Sequence, residues 1–128
     1  MTARGCPQHA FVPTLHVCFA PFRVFARVTM LYHCVYFWLK PGLTVAQRAE
    51  FGRGVESLAG IKSVKKVAVG APAATERRPV IDATYDIALI VTCKDVAAHD
   101  AYQVDPVHLA FVERFKTFWT RVQIYDSE

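Results

Sequence analysis

The sequence predicts an α+β domain with the element order β-α-β-β-α-α-β, a split β-α-β plan whose four strands form one antiparallel sheet. Three observations carry this expectation. Apolar and β-branched runs with two-residue alternation mark strands, helical apolar stripes stand between them, and Thr44, Asp95 and Asp105 sit where helix N-caps are needed. The chain has 128 residues, 53% of them hydrophobic and 20% charged, with mean hydropathy +0.21. That composition fills one core, leaves no room for a second domain and excludes disorder over most of the length.

The first strand is Leu31 to Leu39, ended by Lys40, Pro41 and Gly42. Leu31, His33, Val35, Phe37 and Leu39 share one face, and Tyr32, Cys34, Tyr36 and Trp38 share the other. Both faces are apolar or aromatic, so both require cover. Thr44 followed by Gln47 forms a capping-box pattern ahead of a helix whose buried stripe is Phe51, Val55, Leu58 and Ala59, with Gly60 as its stop. Gly52 and Gly54 each weaken that helix by about 1 kcal/mol relative to Ala, which signals either close packing or a mediocre helix.

A second strand is expected from about Ser63 to Val69, followed by a loop over residues 70–82, long enough to be a gate or a flexible excursion. The clearest alternation runs from Ala83 to Cys93, with Tyr85, Ile87, Leu89, Val91 and Cys93 on one face. Asp95 caps a short helix reaching about Tyr102, with His99 on its solvated side. Asp105 and Pro106 begin the next helix, whose stripe is Phe111, Phe115, Phe118 and Trp119, and Arg121 to Asp126 closes the chain as the last strand. This is the ferredoxin-like arrangement with its second helix broken in two. Helices cover only one face of such a sheet, so the apolar second face predicts a homodimer, two sheets pairing about a two-fold axis into an α+β barrel.

The formal charge is +4 and the pI near 9.0. Three of the 15 basic residues, Arg4, Arg23 and Arg27, lie in residues 1–29, which contain no acid, leaving 12 basic against 11 acidic residues in the rest. The body is therefore nearly neutral, and the small clusters at Lys62, Lys65, Lys66, Arg77 and Arg78 lack the interleaved aromatics of a single-strand reader, so no nucleic-acid partner is expected. No membrane partner is expected either, because the apolar runs fall well short of the roughly 18 residues needed to span a bilayer.

Residues 1–29 read as a flexible N-terminal extension, or as sequence ahead of a true start at Met30, with residues 30–128 as the domain. Pro13, His16, Pro21 and Arg23 interrupt any signal-peptide core, and the segment holds no Ser of the kind transit peptides carry. Cys6, His9, His16 and Cys18 lack the paired spacing of a zinc site, so no metal is expected there. Cys34 and Cys93 lie in apolar strands, which indicates buried thiols in a reducing cytoplasm and not a disulfide framework.

Three segments carry a resemblance. Tyr32-His33-Cys34-Val35-Tyr36-Phe37-Trp38-Leu39-Lys40-Pro41-Gly42, then Ala101 to His108 with Phe111 to Phe115, then Trp119 to Asp126, follow in the order found in the stress-responsive A/B barrel domain (Dabb) proteins, which are dimeric α+β barrels. The resemblance covers about residues 30–128, and its most specific element is Tyr102 followed six residues later by His108, just after Pro106. A plant polyketide cyclase of this family closes a linear polyketide by aldol condensation without a cofactor. Its catalytic His and Tyr match His108 and Tyr102, and its pocket His matches His33.

The residue types suit that chemistry. Imidazole, with an ordinary pKa near 6.5, removes a proton alpha to a carbonyl, and a phenol hydroxyl donates a hydrogen bond to the enolate oxygen. With Asp105 as N-cap, His108 is the third helical residue, where its backbone N–H receives the cap and the positive helix end favours neutral imidazole. Asp105 replaces the His that precedes Pro in many relatives, and a carboxylate there acts in the opposite sense.

The leading expectation is a homodimer that binds a small hydrophobic ligand through His33, Val35, Phe37, Tyr102 and His108, with no established reaction. The alternative is a cofactor-independent polyketide cyclase or aldol-type lyase with His108 as base and Tyr102 as hydrogen-bond donor. Cofactorless monooxygenase chemistry follows only from the shared barrel architecture.

Overall fold

The computed structural model describes residues 30–128. The expectations for residues 1–29, an extension or a start at Met30, lie outside the described residues. The elements are β1 (Leu31–Leu39), α1 (Val45–Ser57) with a 3-10 turn at Leu58–Gly60, β2 (Val64–Gly70), β3 (Ile87–Cys93), α2 (Val96–Gln103), α3 (Pro106–Phe115) and β4 (Trp119–Ser127). All three strand pairings are antiparallel and the sheet order is β2-β3-β1-β4, the ferredoxin-like α+β arrangement.

The helix caps follow from short side chains placed ahead of orphan N–H groups. Thr44 accepts from Gln47 N at 3.2 Å while Gln47 Oε1 accepts from Thr44 N at 2.8 Å, a reciprocal capping box. Asp95 accepts from Ala98 N, and Asp105 accepts from Val107 N, both at 2.8 Å. The Asp105 cap thus falls on the second helical N–H and not on that of His108.

β1 holds the centre of the sheet, and its residues alternate between buried and exposed faces. Leu31, His33, Val35, Phe37 and Leu39 face the helices together with Leu89, Val91 and Cys93, and with Phe51, Val55, Leu58, Ile61, Phe111 and Phe115 they close one core. The opposite face carries Tyr32, Cys34, Tyr36 and Trp38, beside Arg121, Gln123 and Tyr125 of β4. There Tyr36 meets Tyr85 at 4.9 Å and the Arg121 guanidinium lies 4.2 Å from the Trp38 ring centre.

Several expected boundaries shift for local reasons. The third strand begins at Ile87 and not at Ala83, because Asp82 turns back to accept from Thr84 N at 2.9 Å and from its hydroxyl at 2.6 Å. Asp86 is then drawn out of the ladder. Its carboxylate accepts from Leu39 N at 2.7 Å and Arg48 at 3.1 Å, while its own N–H donates to Phe37 O at 2.8 Å. Phe118 and Trp119 pack on the core from a turn and from β4, since α3 stops at Phe115 and Phe118 N donates to Phe115 O. Ala59 is exposed, in the 3-10 turn that ends α1. The two helix glycines divide: a Cβ on Gly54 would collide with the Phe115 ring, whereas Gly52 faces open space. Among the described residues no helix is long and apolar enough to cross a membrane.

Candidate functional site

β1, α2 and α3 bring His33, Val35, Phe37, Tyr102 and His108 to the wall of one cavity of about 350 Å³ between the sheet and the helices. Their positions follow from period and topology. His33, Val35 and Phe37 alternate onto the helix-facing side of the central strand. Tyr102 closes α2 and His108 opens α3, so the short link between the two helices sets the phenol and the imidazole side by side, ring centres 4.5 Å apart. The wall is completed by Leu89, Phe111, Val112 and Trp119, by Gln103, and by Val122 and Ile124 of the neighbouring strand. Two larger hollows, of about 570 Å³ between α1 and α3 and about 660 Å³ beside the β1–α1 turn, are more open, and neither is lined by histidine or tyrosine.

His108 Nδ1 lies 3.0 Å from the carbonyl oxygen of Gln103. A carbonyl only accepts, so Nδ1 carries the hydrogen, and in the neutral ring the lone pair is the one on Nε2. Tyr102 is 1% exposed, and burial, with Cys93 adding to it, holds its phenol well above the ordinary pKa of 10. Tyr102 is thus a hydroxyl donor at all physiological pH values. Its ring centre lies 5.8 Å from that of His33.

His33 is 3% exposed and its Nδ1 stands 2.6 Å from Asp126 Oδ1 on β4, the residue paired with it across the sheet. Burial pushes its pKa below 6.5, and the hydrogen bond and charge of Asp126 oppose that shift without cancelling it. The folded protein therefore binds fewer protons at His33 than the unfolded chain between the depressed value and 6.5. Stability held by neutral His33 is present above pH 6.5 and lost as pH falls through that window. The melting temperature is expected to drop between pH 7 and pH 5, and His33→Gln to flatten the drop; an unchanged slope in the variant would exclude His33 as its source.

Two residues escaped the sequence reading. His99 is not on a solvated side. Its side chain is 15% exposed and its ring centre lies 4.8 Å from that of His33. The signal was the three-residue spacing of His99 and Tyr102, which puts both on one helix face. Asp126 shares a face with Val122 and Ile124 by strand alternation, but its pairing with His33 spans 93 residues and needs the sheet order to be known.

The sequence pattern described as Stress Responsive A/B Barrel Domain matches residues 31–128. No curated protein matches the sequence. Among solved structures, a Dabb family protein with a ferredoxin-like fold from Mesorhizobium loti is 25% identical, covering 77% of this chain and 95% of its own, with a TM-score of 0.63. A dimeric ferredoxin-like protein of unknown function from Thermobifida fusca is 19% identical over 81% of this chain and 94% of its own, with a TM-score of 0.64. A hydroxynitrile lyase from Passiflora edulis is 16% identical over 78% of this chain and 93% of its own, TM-score 0.65, a likeness of fold alone. The family pattern spans every strand and helix described above, and the chain belongs to the stress responsive A/B barrel domain family.

Proposed function

We propose that the chain is a homodimer that binds a small, mostly apolar organic molecule between its sheet and helices α2 and α3. The observation that carries the reading is the cavity itself. Aliphatic and aromatic side chains make most of its wall, and His33, Tyr102, Gln103 and His108 supply a few directed polar groups. Its volume of about 350 Å³ lies at the small end of the range for ligand sites. Pairing through the outer sheet face is supported by the aromatic residues left on that face and by structural relatives described as dimeric. A reducing, cytoplasmic setting fits Cys34 and Cys93, which lie on opposite faces of the sheet and cannot bridge.

The test is a melting-temperature screen against hydrophobic acids and ketones. A ligand at about 100 times its Kd adds roughly 2.7 kcal/mol of stability, a shift of many degrees for a domain of this size. Ile124→Trp, at the exposed margin of the cavity, is expected to abolish the shift. A screen without a hit, or a shift that survives Ile124→Trp, rejects the reading.

One observation favours a second reading, acid–base catalysis. The Gln103 carbonyl engages Nδ1 of His108, which in the neutral ring directs the lone pair to Nε2, beside a phenol that stays protonated. On a β-keto substrate, Nε2 would take the proton alpha to the carbonyl and the Tyr102 hydroxyl would hold the enolate oxygen; the enolate carbon then bonds to a second carbonyl carbon, whose π bond opens to an alkoxide that takes the proton back from His108. Turnover by the wild type that is lost in His108→Ala supports this; equal rates exclude it.

A further inference from the structure

His33, His99 and Asp126 come from three separate elements, β1, α2 and β4, yet their ligating atoms lie within 4.8 Å of one another. Only the His33–Asp126 contact of 2.6 Å is needed to satisfy a buried imidazole. The approach of a second imidazole, with ring centres 4.8 Å apart at 55°, is left without a role by that pair. Two ring nitrogens and one carboxylate oxygen form the donor set of borderline divalent metals, and three protein donors leave a four-coordinate ion one position for water or a ligand.

We infer that His33, His99 and Asp126 form a binding site for one divalent transition-metal ion of the zinc and cobalt class, at the end of the cavity that His33 lines. The surroundings fit such a site. Of the two nitrogens of the His99 ring, Nε2 has Gln103 Nε2 at 3.0 Å and Nδ1 has Asp100 Oδ1 at 3.6 Å; the nitrogen that takes the ion gives up its contact, and the other contact is an outer partner of the kind that orients a ligating imidazole. Asp126 is half-exposed at the edge strand, which gives an ion a way in from solvent. The outcome departs from the metal-free expectation of the sequence reading, which considered only Cys6, His9, His16 and Cys18. It does not depend on the ligand proposed for the cavity, because the test reads the ion directly.

The test uses the full chain, stripped with chelator and titrated with Co²⁺ and then Zn²⁺, following visible cobalt absorption and bound metal by elemental analysis. One ion per chain is expected, unchanged in a Cys6→Ser, Cys18→Ser variant that removes the thiols of residues 1–29. His99→Ala and Asp126→Asn are each expected to weaken binding by about 100-fold or more, by the loss of a direct ligand. His99→Ala places a strong helix former on a short helix, and its melting curve reports that the fold is kept. Affinity retained in either variant, binding that disappears with the Cys6 and Cys18 thiols, or no stoichiometric uptake by the wild type overturns the inference.

Discussion

Phe51→Ala is expected to lower unfolding stability by about 3–5 kcal/mol, the usual cost of deleting a fully buried aromatic ring. Phe51 is 0% exposed and stands where the sheet, α1, α3 and the start of β4 converge. Its ring centre lies 5.2 Å from Phe37, 5.4 Å from Phe115, 5.8 Å from Phe111, 6.0 Å from Trp119 and 6.4 Å from Phe118. Five rings packed against a sixth cannot collapse into the vacated space without leaving their own rotamers, so the cavity term is retained. A domain of this size has about 5–15 kcal/mol in all, which makes the variant marginal at 37 °C. Urea unfolding at fixed protein concentration measures the loss. A value under about 1.5 kcal/mol would mean that the core relaxes around the site, contrary to the packing described.

Tyr36→Arg is expected to convert the proposed dimer into monomers at low micromolar concentration while leaving each chain folded. Tyr36 lies at the middle of the central strand on the face away from the helices, against Tyr85 and Tyr125. A charge buried there without a partner costs about 3 kcal/mol, and a two-fold interface repeats it, giving about 6 kcal/mol or roughly 10⁴ in the dissociation constant. Sedimentation of both proteins decides the matter. A wild type that sediments as a monomer overturns the dimer, and a variant that stays dimeric moves the interface to another surface.

The sequence was most readable where chemistry is local. Thr44, Asp95 and Asp105 cap the helices at the expected places, because an N-cap needs only a short acceptor and the next three residues. The two-faced apolar pattern of Leu31 to Leu39 already required cover on both sides. Legibility failed where one residue answers to a partner far along the chain. Thr84 and Tyr85 alternate like strand residues, yet Asp82 and Asp86 hold them out of the ladder, the second through bonds to Leu39 and Arg48. His99 reads as a polar residue of an eight-residue helix until β1 is placed beside it. The cavity itself was legible only through the resemblance, since its walls combine β1 with α2, α3 and β4.

The double anchorage of Asp86 has a further consequence. Gly70 and Ala88 already face each other across the β2–β3 ladder, and Asp86 pins the returning chain to β1 and α1. Thr84 and Tyr85 still touch β1, so the part of the excursion that is free to vary is its mostly exposed stretch over residues 71–81. Lengthening it changes little besides closure entropy, about 0.6 kcal/mol for each doubling, whereas one residue inserted into β1 would exchange its core-facing and outward-facing side chains. Variation in size is confined to this hairpin's tip, and variation in register is forbidden one strand away.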